Sequence, residues 1–293
     1  MYYKSQIKKK GNVIFSLYKY HTSKTMNQYI YKSSMKSNSL LYAIFAVCTV
    51  ATLVCLMLIF PNMTQDNTYT DLLSTLPESL RESFGMVGNA NQLNDYMNMN
   101  FYNSIYLYIM IAFDLIVTTK LISKPVGDTS LVYYLNSPVS RRTFYLSQTF
   151  VYVSGMIIMT VCSTVSGILT HIIALNDYDF KVGVFVKNNL ILFAIFILLG
   201  SMCLLICAFC NNNSNALAYT GGLLVVEYII YMVENMNEKF DKLKFFTVFS
   251  LYDTDKVAND TSYFVISMVA CCLVSVILIL GACEYFKRRD LYL

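Results

Sequence analysis

Residues Ile122–Phe144 read ISKPVGDTSLVYYLNSPVSRRTF, a polar, turn-rich and mildly basic stretch. Its flanks decide the fold. Before it, residues 102–122 (YNSIYLYIMIAFDLIVTTKLI) are almost unbroken apolar sequence; after it, so are residues 149–172 (TFVYVSGMIIMTVCSTVSGILTHI). A run of ~20 apolar residues crosses ~30 Å of hydrocarbon as a helix. The same criterion finds runs at 39–60, 189–210, 216–233 and 262–286. With 56% hydrophobic and 14% charged residues, the chain is far from a soluble composition. The sequence predicts an all-α polytopic membrane protein of six transmembrane helices.

Charge orients it. Residues 1–38 carry eight lysines and no acid, which places the N-terminus in the cytoplasm. Residues 1–25 form a basic extension, or a flexible tail attracted to anionic lipid, and residues 26–293 the six-helix domain. From Met26 the run MNQYIYKSSMKSNSLLY suits an amphipathic helix lying along the inner surface. The first apolar run begins near Ser39, too late and too long for a cleavable signal peptide. Span 1 is expected to end at Pro61. Residues 61–100 hold five acids against Arg81, and residues 234–261 six acids against four lysines, so both belong outside. In the first of these, Leu73, Leu76, Leu80 and Phe84 recur at near-helical spacing around Pro77, as in a short outer helix. In the second, an amphipathic patch covers Phe240–Leu251. Lys287-Arg288-Arg289 stops the last span inside, giving both termini in the cytoplasm.

Within the opening stretch, Pro125 and Gly127 are expected to break span 2. Asp128 or Thr129 can cap a short helix over Ser130–Leu135. Ser137-Pro138, a cap followed by proline, restarts the chain as span 3. The pattern is helix, break, short amphipathic cytoplasmic helix, break, helix.

A few polar residues lie inside the spans. Lys120 can snorkel to the interface, but Asp114 in span 2 and Glu227 in span 5 are intramembrane carboxylates and candidates for a pathway. A hydrogen-bonded structural role is the alternative for Asp114. Gly155, Ser163 and Gly167 give span 3 a small-residue packing face. Gly221-Gly222 allow span 5 to bend, and Asn211–Asn215 close spans 4 and 5 into a tight inner hairpin. His171 reads as structural. The nine cysteines all lie in or at the edge of apolar runs, which argues against a disulfide framework. Cys203, Cys207 and Cys210 share a helical face, as buried apolar packing or, less simply, a metal site.

The sequence contains no phosphate-loop pattern, no G-x-S-x-G elbow and no H-E-x-x-H pair. A catalytic histidine would have to be His21 or His171, and neither has a convincing partner in sequence. The chain is expected not to be an enzyme, to bind no metal and no cofactor directly, and to draw energy from a partner or an ion gradient.

Leu135-Asn136-Ser137-Pro138-Val139-Ser140-Arg141 resembles the LL-S-x-P-V-S-R signature of ABC-2 type transporter permeases. Leu76-Pro77-Glu78-Ser79-Leu80 through Phe84-Gly85-Met86 also looks like that family, as does the ending Tyr285-Phe286-Lys287-Arg288-Arg289-Asp290-Leu291, similar to its F-x-x-[RK]-D-L close. The resemblance spans Met26 to Leu293. Pro125 stands where the family usually has glutamate, and Thr129 where it has glycine.

The Lys-, Asn- and Tyr-rich usage points to a bacterium. The resemblance implies the membrane subunit of an exporter in the cell membrane. It implies two permease chains, identical or different, and two ATPase chains that hold ATP and Mg2+, with no nucleic acid. The short helix between spans 2 and 3 would be the coupling helix docked into the ATPase, with Asp128, Leu131, Tyr134 and Leu135 at the contact and Arg141 holding the partner or lipid phosphates. The apolar, tyrosine- and methionine-rich bundle suits an amphipathic or hydrophobic cargo, a peptide or a drug. The alternatives are an ion-coupled secondary transporter using Asp114 and Glu227, and a non-transporting immunity or scaffold protein.

Overall fold

The computed structural model describes residues 27–65, 73–86, 88–89, 91–128, 130–131, 139–236 and 238–289. Among them are six helices long and apolar enough to cross a membrane, and no strand. We number the helices in chain order: α1 Gln28–Gln65, α2 Glu78–Ser83, α3 Leu93–Gly127, α4 Arg141–Ala174, α5 Val182–Phe209, α6 Asn213–Met236, α7 Thr254–Asn259 and α8 Thr261–Arg288. One end of the bundle carries Lys120, Lys124, Arg141, Arg142 and Lys287–Arg289, the other Asp95, Asp177, Asp179 and Asp255. We call these the basic and acidic ends.

α5 is the axis of the bundle. Its most apolar window is 72% buried, against 17% for α8, whose exposed Ile266, Val269, Leu273, Ile277 and Leu280 form an apolar outer stripe. α5 packs on α3, α4, α6 and α8, and α1 lies mainly along α4. Gly155 and Gly167 make these approaches possible, since a Cβ would lie 2.9 Å from Tyr42 at Gly155 and 2.3 Å from Phe185 at Gly167. Ser163, the third small residue of that face, donates to Asn189 of α5 at 2.9 Å.

Several helix ends differ from the sequence expectation. No glycine or proline interrupts residues 28–60, so the expected surface helix and span 1 are one rod, and α1 also runs through Pro61 to Gln65. Proline removes a single N–H from the ladder, and here only one turn remains beyond it. α3 likewise continues through Pro125 and ends at Gly127. Residues Thr119–Ser123 just before it form a wide π-helical turn, and such a turn has room for the ring that an α-helix lacks. α4 starts three residues later than expected: its cap is Ser140, whose Oγ accepts the Thr143 N–H at 3.1 Å. Residues 129 and 132–138, with most of the expected short helix, lie outside the described residues.

At the acidic end α2 follows Pro77 and closes with a reciprocal carbonyl cap, Gly85 N–H to Glu82 and Met86 N–H to Arg81. Gly85 has φ +64°, and its carbonyl accepts the Asn103 amide of α3 at 3.0 Å. Between α6 and α8 the chain forms 3-10 turns over Glu238–Phe246 and Phe249–Leu251, then α7, capped by Asp253.

Candidate functional site

α3 is not a uniform helix. Asn98–Tyr106 and Thr119–Ser123 are π-helical, and between them Leu107–Thr118 is α-helical and carries Asp114. Thr118 donates to the Asp114 carbonyl at 2.6 Å and Thr119 to the Leu115 carbonyl at 2.7 Å. Side-chain hydroxyls that engage helix carbonyls compete with the regular ladder, and here the second wide turn begins at Thr119.

Asp114 is fully buried. Its Oδ1 accepts the Tyr152 hydroxyl of α4 at 2.7 Å, and the same hydroxyl lies 2.9 Å from the Phe196 carbonyl of α5. Gly200 makes room for this ring: a Cβ there would stand 1.8 Å from the Tyr152 hydroxyl oxygen. Asp114 Oδ2 has no hydrogen-bond partner among the described residues, and no cation faces the carboxyl in an ion pair. One hydroxyl proton thus serves two acceptors. A neutral Asp114 carboxylic acid donating to Tyr152, with Tyr152 donating to Phe196, would give each of these two contacts its own proton.

Polar pairs continue from here toward the acidic end. Asn189 of α5 donates to the Tyr102 hydroxyl, and Asn188 to Asn98 Oδ1 at 2.7 Å. All four are buried. The result is a seam of hydrogen bonds along the α3–α5 contact, within an otherwise apolar core. In such a core a satisfied polar contact specifies register, because leaving one partner unmatched costs about 1–3 kcal/mol.

Glu227 of α6 has a different use. Its carboxylate accepts the Val248 N–H at 3.0 Å, and its backbone carbonyl accepts the Thr247 hydroxyl at 3.2 Å. Thr247 Oγ1 in turn accepts the Phe249 N–H. Nine residues separate Glu227 from the end of α6 at Met236, or about 13 Å of helix at 1.5 Å per residue. The loop after α6 therefore turns back along the helix by that depth. At its tip Phe249 meets Tyr231 and Phe196 at ring separations of 5.8 and 5.9 Å, and Tyr252 reaches Tyr102 at 6.5 Å. The tip thus touches the residue whose carbonyl binds Tyr152. Glu227 anchors this re-entrant loop, a role its intramembrane position in sequence did not reveal.

The basic end is tied by one residue. Arg289, 9% exposed, follows α8 and donates to the Ala208 carbonyl at the end of α5 and to Asn211 Oδ1 in the turn to α6. Its own carbonyl accepts the guanidinium of Arg141 at the start of α4. Burial pushes the Arg289 guanidinium below the usual arginine range, and a cation at the C-terminus of α5 is favourably placed against the helix dipole.

Of the residues expected at a docking surface, Asp128 is exposed and follows α3, whereas Leu131 is fully buried in the core. Leu131 is an apolar side chain beside the α3 terminus and packs inward, so it anchors its segment and offers no face to a partner. Tyr134 and Leu135 lie outside the described residues. Arg141 has an internal acceptor in Arg289. Cys203, Cys207 and Cys210 are buried in the apolar core. Tyr152 and Gly200 had no distinguishing spacing in the sequence; Ser140 stood out only within the P-V-S-R stretch, and Arg289 only within the basic terminus and its F-x-x-R-D-L close.

Comparison with protein-family models, with curated proteins and with solved structures finds no match for the chain.

Proposed function

We propose that the chain is the permease subunit of an ATP-binding cassette exporter of the ABC-2 type, a multi-pass protein of a bacterial cell membrane. The basic end faces the cytoplasm, with both termini there. A separate ATPase pair supplies the energy of ATP and Mg2+, and a second permease chain completes the pathway. The cargo is amphipathic or hydrophobic, a peptide or a drug.

One observation carries this reading. Two of the stretches that resemble the family, P-V-S-R and the F-x-x-R-D-L close, are 148 residues apart, and their arginines Arg141 and Arg289 meet at the basic end. Strain applied to the segment before Arg141 would reach α4, α5 and α8 together through this clamp. The third stretch, around Phe84-Gly85-Met86, is joined to α3 by Asn103, so all three touch the framework of the bundle.

The test is a pull-down. Tagged chain, solubilised from its native membrane in mild detergent, is expected to retain an ATPase that carries a phosphate loop, with vanadate-sensitive turnover. Charged residues at Tyr134 and Leu135 should remove that ATPase while membrane insertion persists. A complex that survives the double change would overturn the docking assignment.

Asp114 Oδ2, without a partner among the described residues, favours a second reading, a proton-coupled carrier. Transport that collapses with a protonophore and ignores vanadate would select it.

A further inference from the structure

At the basic end α1, α3 and α4 line an open polar pocket of about 240 Å³ whose walls include Ser34, Asn38, Lys120, Lys124, Asp128 and Gln148. It sits at the end of the bundle where the apolar spans give way to charge. Two of its residues are deeply buried yet incompletely bonded. Asn38 is 4% exposed and Gln148 2% exposed. Asn38 Nδ2 donates to the Ser34 carbonyl at 2.8 Å and Gln148 Nε2 to the Ser34 hydroxyl at 3.0 Å. Asn38 Oδ1 and Gln148 Oε1 have no partner among the described residues. Burying a polar atom without a partner is costly, so these two carbonyl oxygens mark places for hydrogen-bond donors. Lys120 and Lys124, also in its walls, form no ion pair among the described residues. They mark a place for an anion.

We propose that this pocket binds a phosphodiester headgroup that also carries hydroxyl or ammonium donors, supplied by a phospholipid of the leaflet at the basic end. The phosphate lies against Lys120 and Lys124. The glycerol hydroxyls of phosphatidylglycerol, or the ammonium of phosphatidylethanolamine, meet Asn38, Gln148 and Asp128. Choline offers a phosphate but no donor and leaves the two amide oxygens unmet, so phosphatidylcholine is the discriminating control. The lipid would brace α1 against α3 and α4 at the end of the bundle that bears Arg141 and Arg289.

The experiment uses native mass spectrometry of the full chain in mild detergent, titrated with each of the three lipids at equal concentration. Phosphatidylglycerol and phosphatidylethanolamine are expected to be retained over phosphatidylcholine. Lys120→Gln and Lys124→Gln should each weaken retention about fivefold, as expected for one lysine facing anionic lipid; the Arg variants at the same positions should keep it. Gln148→Leu should erase the preference over phosphatidylcholine while leaving phosphate-dependent binding. Competition with inorganic phosphate and with glycerol phosphate separates the sources: displacement at millimolar concentration assigns the same chemistry to a soluble phosphate compound, and no displacement assigns it to the lipid. Equal retention of all three lipids by the unaltered chain, or unchanged retention in a monodisperse double Gln variant, would overturn the proposal.

Discussion

Tyr152 reaches Asp114 only because residue 200 has no side chain: a Cβ at Gly200 would lie 1.8 Å from the tyrosine hydroxyl oxygen. Gly200→Ala should therefore expel the ring, break its contacts to Asp114 and Phe196, and cost about 1–3 kcal/mol, the usual range for overpacking a core. Thermal unfolding in detergent measures it. Tyr152→Phe combined with Gly200→Ala should cost less than the sum of the two, since both variants remove the same hydrogen bonds.

Asp114 yields a second expectation. If its carboxyl is neutral, Asp114→Asn supplies an acceptor and a donor in the same shape and should change stability by less than ~1 kcal/mol, whereas Asp114→Ala leaves Tyr152 and the core cavity unfilled and should cost about 2–4 kcal/mol. Equal losses from Asn and Ala would argue for an ionised group at this position.

The guanidinium of Arg289 is a fork that serves the Ala208 carbonyl and Asn211 together. Lysine has the charge without the fork. Arg289→Lys should thus lose about 1.5–3 kcal/mol, the range for hydrogen bonds made by a charged group. Cysteine cross-linking between the ends of α5 and α8 should become less efficient in that variant.

Glu227→Gln keeps an acceptor for the Val248 N–H, and Glu227→Ala does not. Hydrogen exchange across Thr247–Leu251 should be unchanged in the first and faster in the second, because the fold of the loop tip depends on that anchor. Equal protection in the Ala variant would mean that Thr247 and the aromatic contacts of Phe249 suffice.

At the acidic end, burial acts to raise the Asp253 carboxyl, but the Lys256 ammonium at 2.7 Å and the backbone N–H groups it caps outweigh burial and hold it below the usual carboxylate range. A depressed folded-state value contributes stability above the unfolded value near ~4, and that contribution fades as pH falls through the folded one. The stability difference between the unaltered chain and Asp253→Asn should accordingly shrink as the pH is lowered from about 7 to about 3.

The apolar runs were legible because a membrane imposes length and composition on any sequence that crosses it: each expected span falls within one of the long helices, save Cys210 just past the end of α5. The ends were less legible. Pro61 and Pro125 look like stops in sequence, but one sits a turn from the end of its helix and the other follows a wide turn that accommodates it. Ser137-Pro138 has the local chemistry of a helix start, yet Ser140 caps α4, because Ser140 has Thr143 three residues on to exchange bonds with. Asp114 was visible as a carboxyl among apolar residues. Its partner was not, since Tyr152 is one of 24 tyrosines and only the packing of α4 on α5 over Gly200 selects it. The converse holds for Glu227, whose partner is a backbone N–H and leaves no trace in composition.

The two wide turns of α3 make the segment between them a shaft held by swivels. A π-helical turn holds one more residue than an α turn, and that surplus can migrate along a helix without unwinding its ends. Each residue that the surplus passes turns by about 100°, so the whole of Leu107–Thr118 would turn only if the surplus crossed all 12 residues. Such a twist would carry Asp114 off Tyr152 and onto another face, while Asn103 and the α2 cap above, and the Lys120–Lys124 turn below, stayed in place. Two wide turns on either side of Asp114 thus make α3 the helix in which the orientation of that buried carboxyl depends on where the surplus residues sit.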